Sequence, residues 1–317
     1  MSILPKVTII LATFNRDYLV IETLVSIQNQ TYQNWECIII DDYSSDSTKA
    51  VIEEFIKKDY RYNYYLKTKN YKKGLSGSRN QGLDIAAKRK AEFIQLFDDD
   101  DIMHPMKLEL QLEPLIKDCS LDFTVCKYRH YYDEEVFKFE LIDEDCNIVS
   151  ENLFQDFFLG KMGINSLGPI WRGNLILKYR FDEDLLFAEE RDLYLKIFLF
   201  NKPKYQNIDY VLFYYRKHLI SNTKNRYDSK MIKISLYKLE LNLFEFVNVN
   251  SLWNYFLLKE MSKIFIYKNY DLAVCQELLE VIENNNFDEG FEGKLLKYKI
   301  RSQLLIRKFL MKFFQKI

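Results

Sequence analysis

The chain has 317 residues, with 48% hydrophobic side chains and a formal net charge of -1, so it is long enough for one large domain or two modest ones, each with a full core. A charge so close to zero gives no global electrostatic case for binding nucleic acid. Five cysteines (Cys37, Cys119, Cys126, Cys146 and Cys275), odd in number and with no CxxC pair, argue against a disulfide framework or a structural zinc site and fit a reduced, cytoplasmic setting. The apolar run Val7 to Ala12 is too short for a signal peptide and no stretch nears the ~20 apolar residues that span a bilayer, so a soluble or peripherally attached protein is expected.

The first hundred residues alternate strand and helix. Val7 to Ala12 is a continuous apolar run of the kind buried on both faces. Asp17 to Gln28 follows with helical spacing, since Leu24, Val25 and Ile27 continue the face begun by Leu19 and Ile21. Trp35 to Ile40 is a second buried strand, closed by Asp41 and Asp42. Ser44 to Thr48 supplies capping residues for a helix marked by Val51, Ile52, Phe55 and Ile56. Tyr62 to Leu66 is a third strand, and a turn over Gly74 to Gly77 leads into a helix near Asn80 to Lys90. Strands separated by helices imply parallel pairing with right-handed crossovers.

The fourth strand, Phe93-Ile94-Gln95-Leu96-Phe97, runs into four consecutive aspartates, Asp98 to Asp101. Carboxylates so crowded repel one another unless a cation or a set of hydrogen-bond donors offsets the repulsion. A hard divalent ion takes oxygen ligands and holds phosphates, and that is one answer; a solvated acidic turn opening the next helix is the other. In an open α/β sheet ligands bind outside the carboxyl ends of the strands. Thr13-Phe14-Asn15, Asp41-Asp42 and Asp98 to Asp101 all follow such ends, so three polar clusters are expected to converge on one crevice.

From about residue 120 the pattern is mixed. Gly160, Gly163, Gly168 and Pro169 mark loops, Glu189-Glu190-Arg191-Asp192 opens a helical stretch, and Tyr210 to Arg216 reads as a strand. Beyond Tyr227 the spacing is almost wholly helical, which places a boundary between a domain over 1–226 and a helical region over 227–317. Lys294 to Ile317 carries eight Lys or Arg and no acid. Its apolar residues Leu295, Tyr298, Leu305, Phe309, Phe313 and Ile317 recur at mostly helical spacing. Such a basic amphipathic helix lies in an anionic membrane interface or, alternatively, packs on its own domain or on a partner subunit in a homo-oligomer.

The segments VTIILATFNR, IIIDDYSSDST, GLSGSRNQGL, FIQLFDDDDIMHP, FDEDLLFAEERDLYL and FYYRKH occur in this order over roughly residues 5 to 220. Together they resemble the family-2 glycosyltransferases of the GT-A fold, a Rossmann-like mixed α/β sheet flanked by helices. The resemblance implies an inverting, metal-dependent transfer of a sugar from a nucleotide sugar, a UDP-sugar first among them, to a glycan hydroxyl, in bacterial capsule, lipooligosaccharide or related polysaccharide synthesis. The resemblance and the basic tail together point to work at the inner face of the cytoplasmic membrane, where a lipid-linked acceptor is one option and a soluble glycan the other. By the same resemblance Ala12, Phe14, Asn15 and Asp42 face the base; Phe14 either stacks on it or fills the core, and Asp42 accepts from it or caps a helix. Asp98 and Asp99 fall in the donor-binding run, and Asp100 is the ligand of Mn²⁺ or Mg²⁺ with His218 as a further candidate. Arg79 reaches a phosphate or lies on an exposed helix face, and Asn80 fixes its loop. Glu190 is the base that deprotonates the acceptor, one methylene longer than the family's aspartate, with Glu189 or Asp192 as substitutes. Trp171 falls where the acceptor approaches, or else in the core. Two rivals are a nucleotidyltransferase, disfavoured because ATFNRDY has no glycine, and a non-catalytic binding module.

Overall fold

The computed structural model describes residues 4–132, 139–143, 148–217, 229–268 and 271–314. The chain divides into two compact units, Met1–Ser235 and Leu236–Ile317. The boundary expected at 226/227 falls outside the described residues, as does His218.

The first unit is built on one mixed sheet of eight strands in the order β3-β2-β1-β4-β7-β6-β8-β5. Its strands are β1 (Val7–Thr13), β2 (Trp35–Asp41), β3 (Tyr62–Leu66), β4 (Phe93–Asp98), β5 (Ile102–Met103), β6 (Phe123–Tyr131), β7 (Ile170–Arg172) and β8 (Tyr205–Arg216). The connecting helices are α1 (Val20–Gln28), α2 (Thr48–Ile56), α3 (Leu75–Lys88), α4 (Lys107–Lys117), α5 (Leu153–Phe158), α6 (Gly173–Ile176) and α7 (Glu189–Asn201). β1 pairs in parallel with both β2 and β4, and β2 in parallel with β3, as helical crossovers require. β7 then runs antiparallel to β4 and β6, and β8 parallel to β6.

β1 is buried along its whole length because it is central and covered on both faces. Helix α3 approaches it closely. A Cβ on Gly82 would lie 2.3 Å from Ile10 Cγ2 and one on Gly77 2.1 Å from the Lys72 carbonyl, so neither position admits a larger residue without movement. Helix α3 starts at Leu75 rather than near Asn80, so Gly77, expected in a turn, lies inside the helix at a close backbone contact. Further across the same face of the sheet Phe123 stacks on Trp171 at 4.3 Å between ring centroids and on Tyr205 at 5.1 Å. Trp171 is fully buried. The expectation that it meets the acceptor is therefore corrected: on an inner strand, its indole gains more from aromatic packing than from any ligand contact.

The second unit is helical, with α8 (Ser229–Val249) entering it, α9 (Tyr255–Lys263) running into a π-helical turn over Ile264–Lys268, then α10 (Leu272–Asn284) and α11 (Phe291–Phe314). Asp271 caps α10, accepting from the backbone nitrogens of Ala273 and Val274. In α11 Ile300 and Leu304 are the buried side chains, whereas Leu295, Tyr298 and Leu305 of the expected apolar stripe are exposed; side chains from 307 onward lie outside the described residues. No helix among the described residues is long and apolar enough to cross a membrane. Cys37, Cys126 and Cys275 are buried and Cys119 is exposed.

Candidate active site

The parallel registers bring three strand ends level. Ala12 of β1 lies opposite Asp98 of β4, and Thr13 opposite Asp41 of β2. The residues that follow open one cleft of about 850 Å³, lined among others by Ala12, Phe14, Asn15, Asp42, Arg79, Asp98, Asp99, Asp100 and Glu190. These nine and Glu189 share one cavity, Asn80, Trp171 and Asp192 do not line it, and His218 lies outside the described residues.

The loops at these ends are interlocked. Asn15 adopts a left-handed backbone (φ 52°), which Asn tolerates better than most residues. Its backbone nitrogen donates to Ser44 Oγ at 2.9 Å, and its side-chain oxygen accepts from the Ser45 nitrogen at 2.8 Å. Asn15 therefore joins the β1 and β2 loops, with its side-chain acceptor directed at Ser45. Phe14 is half-buried outside the core, with the Lys73 ammonium 5.0 Å from its ring centroid. Asp42 accepts from the Gly74 nitrogen at 2.6 Å and pairs with Lys67. Lys67, whose side chain is 1% exposed, also donates to the Lys72 carbonyl at 2.8 Å, so one buried amine fixes both Asp42 and the loop before α3.

The acidic run is divided among three arginines. Asp98 pairs with Arg79 of α3 at 2.8 Å. Asp99 and Asp100 meet Arg16 at 3.3 and 3.2 Å. Asp101 turns inward, 1% exposed, and accepts from the backbone nitrogen of Arg216 at 2.8 Å. Burial and the neighbouring Asp100 raise the Asp99 carboxyl to about 7, against the opposing pull of Arg16. The residues fit a hard divalent cation in a specific way. No group of three or more His, Cys, Asp or Glu forms a complete cage among the described residues. Asp98, Asp99 and Asp100 all line the cleft, and carboxylate oxygens suit Mg²⁺ or Mn²⁺, which commonly takes one or two carboxylates and completes its shell with water and phosphate oxygens.

The opposite wall begins at α7. Ala188 precedes it in a left-handed conformation (φ 60°), unusual for a residue with a Cβ, and this turn directs Glu189 and Glu190 at the cleft. Asn80 clasps the approach: it donates to the Phe181 carbonyl at 3.0 Å and to Glu183 at 2.8 Å, and it accepts from the Phe181 nitrogen at 2.8 Å. Arg79, 2% exposed, is the hub between the walls. It reaches Asp98, Glu189 at 3.1 Å and Ser166 at 2.8 Å, so both terminal nitrogens are engaged by protein oxygens. Burial works to lower the Arg79 pKa, but Asp98, Glu189 and Glu190 outweigh it and hold the guanidinium charged. Glu189 is tied to Arg79, whereas Glu190 has no ion pair among the described residues. Burial, reinforced by the charge of Glu189, pushes the Glu190 carboxyl up to about 8. Asp192 is no substitute for it: it is 1% exposed and paired with Lys196 at 2.6 Å, away from the cleft lining.

The cleft also holds Arg16, Ser166, Tyr128, His130 and Tyr215, none of which the sequence singled out. Arg16 carried a signal, since it directly follows Asn15 at the end of β1. Tyr215 carried one as well, inside the segment FYYRKH, whereas Tyr128 and His130 carried none, because they meet Tyr215 only through the pairing of β6 with β8.

Residues 8–186 match the sequence family described as Glycosyl transferase family 2. Among curated relatives, GalNAc(5)-diNAcBac-PP-undecaprenol beta-1,3-glucosyltransferase of Campylobacter jejuni is 30% identical over 196 residues, 62% of this chain and 60% of that one. UDP-Glc:alpha-D-GlcNAc-diphosphoundecaprenol beta-1,3-glucosyltransferase WfgD of Escherichia coli is 28% identical over 222 residues, 70% of this chain and 81% of its own. Among solved structures, residues 1-349 of S. aureus TarS superpose with a TM-score of 0.58 at 16% identity, covering 94% of this chain and 88% of that one. The mannosyltransferase PcManGT from Pyrobaculum calidifontis, solved with GDP-Man and Mn²⁺, gives 0.51 at 14% identity, covering 96% and 86%. At these identities the structures establish the fold alone, the GT-A fold. The family match takes in more than half of the chain, and the protein belongs to glycosyl transferase family 2.

Proposed function

We propose that the protein is an inverting glycosyltransferase that moves a sugar from a UDP-sugar to a hydroxyl of a lipid-linked glycan acceptor, in assembly of a bacterial surface polysaccharide. The observation that carries this is the single cleft in which the ends of β1, β2 and β4 face Glu190. Phe14 would lie against the base and Asp42, held by Lys67, would accept from it. A divalent cation at Asp100, beside Asp98, would supply charge to offset the leaving diphosphate.

Glu190 would take the acceptor hydroxyl's proton as that oxygen bonds to the anomeric carbon and the carbon–phosphate oxygen bond breaks on the opposite side, leaving UDP. Glu189 is anchored on Arg79, which leaves Glu190 as the carboxylate open for proton transfer. Two curated relatives are named for glucosyl transfer to diphosphoundecaprenol-linked sugars, which supports the acceptor class. The basic residues of α11, beside exposed Leu295, Tyr298 and Leu305, fit attachment at an anionic membrane surface.

The test is a panel of nucleotide sugars offered with undecaprenyl-diphosphate-linked GlcNAc and GalNAc, with Mn²⁺ or with chelator, for wild type and Asp100→Ala. Release of UDP from one donor, abolished by chelation and by the substitution, is the expected result. Transfer that proceeds equally well in chelator would contradict the metal-dependent reading.

A further inference from the structure

The three arginines that meet the acidic run are not equivalent: Arg79 and Arg16 pair with its carboxylates, whereas Arg216 meets Asp101 through its backbone nitrogen. The side chains of Arg79 and Arg216 are 2% and 4% exposed and are wedged among groups from other elements: Glu189 and Ser166 for Arg79, Glu22 and the Tyr131 ring for Arg216. Arg16 is 18% exposed and lies in the cleft wall. Its backbone is held, since its nitrogen donates to Thr48 Oγ1 at 2.7 Å, and its side chain extends from that anchor across the carboxylates. There Nε donates to Asp99 Oδ1 at 3.3 Å and Nη2 to Asp100 Oδ2 at 3.2 Å.

Asp100 is the carboxylate at which the proposed cation would bind, and Asp99 lies beside it. A guanidinium lying across them and a cation bound to them compete for the same oxygens and for the same negative charge. A guanidinium is also suited to a second class of anion, because its planar fork matches phosphate oxygens as well as carboxylate.

We propose that Arg16 is a resident counter-cation, exchanged for the divalent ion when a nucleoside diphosphate enters, and that its released guanidinium then binds the diphosphate. This rests on the metal–nucleotide reading of the cleft and adds a coupling to it. The metal alone must displace Arg16 from its partners at a cost, whereas metal and nucleotide together give Arg16 a new anion. Each therefore raises the affinity for the other, by the same factor in both directions.

The experiment measures free Mn²⁺ by its solution paramagnetic resonance signal, with the full chain, in the absence and presence of UDP. Wild type, Arg16→Gln and Arg16→Lys are compared, and an unfolding curve verifies that each is folded. Without UDP, Arg16→Gln should hold Mn²⁺ about tenfold more tightly than wild type, because the competing cation is gone. The gain in Mn²⁺ affinity on adding UDP should shrink by about tenfold in Arg16→Gln and by less in Arg16→Lys, which keeps the charge but loses the fork. If wild type binds Mn²⁺ with UDP but Arg16→Gln holds Mn²⁺ alone no more tightly, Arg16 is a fixed strut and the exchange is wrong. Should Arg16→Gln not fold, an unaltered coupling in Arg16→Lys overturns the proposal equally. Failure of wild type to bind Mn²⁺ even with UDP would instead overturn the metal–nucleotide reading, and this inference with it.

Discussion

The wall of the cleft made by the ends of β1, β2 and β4 consists of residues that directly follow three adjacent parallel strands, whereas the facing wall is gathered from α7, the loop over 165–167 and the paired ends of β6 and β8. On the first wall the backbone alone fixes position, because parallel pairing levels Ala12, Asp41 and Asp98 within one register step. On the second, position depends on side-chain clasps across long sequence distances, such as Asn80 on Phe181 and Arg79 on Glu189. In the proposed reading, donor binding falls to the wall set by strand register, and proton transfer to the wall held in place by α3.

If that division is right, Glu190→Gln should sharpen it most. Loss of the base should lower kcat by about 10² to 10⁴-fold while leaving UDP affinity within about twofold, measured by steady-state transfer and calorimetry. Arg79→Met should break the division, because it removes the cation on which both walls converge. Leaving Asp98 and Glu189 without their buried partner should cost about 3–5 kcal/mol in a denaturant titration, far above a typical surface substitution.

A smaller effect is expected in the pH dependence. As the proposed base, Glu190 would act only when ionised, so with its carboxyl raised to about 8, kcat/KM should climb with pH and level off above that value. The stability consequence has the opposite sign. The folded chain keeps a proton at Glu190 that the unfolded chain releases near its ordinary 4.5, so this group's contribution is complete below that pH and is lost as pH rises through about 8. Melting temperatures of wild type and Glu190→Gln should therefore diverge across that window in favour of the variant; parallel curves would contradict the assigned shift. The smallest effect is that of Phe14→Ala, which removes a ring from the donor wall without opening the core. It should weaken UDP by about 1 kcal/mol, close to fivefold, with kcat nearly unchanged.

Much of the donor wall was legible in the sequence because apolar runs ended in polar clusters, and an open parallel sheet gathers such clusters at one edge. What was misjudged turned on contacts with no local signature. The start of α3 was placed beyond its glycines because Gly74 and Gly77 read as a turn, yet the approach of the Lys72 carbonyl demands a glycine inside the helix. Strand β8 begins at Tyr205, ahead of the expected Tyr210, because pairing with β6 imposes extended structure on Tyr205 to Ile208. Trp171 looked equally suited to sugar and to core until the stack with Phe123 and Phe198 placed it. Lys67 was invisible as a site residue, since nothing in its neighbours foretells a buried amine beneath Asp42.

The most direct test of the central claim is calorimetric binding of UDP in the presence of Mn²⁺ to wild type, Asp100→Ala and Glu190→Gln. The two-wall account predicts that binding is lost in Asp100→Ala and kept in Glu190→Gln. Unchanged binding in Asp100→Ala, or its loss in Glu190→Gln, would contradict the account.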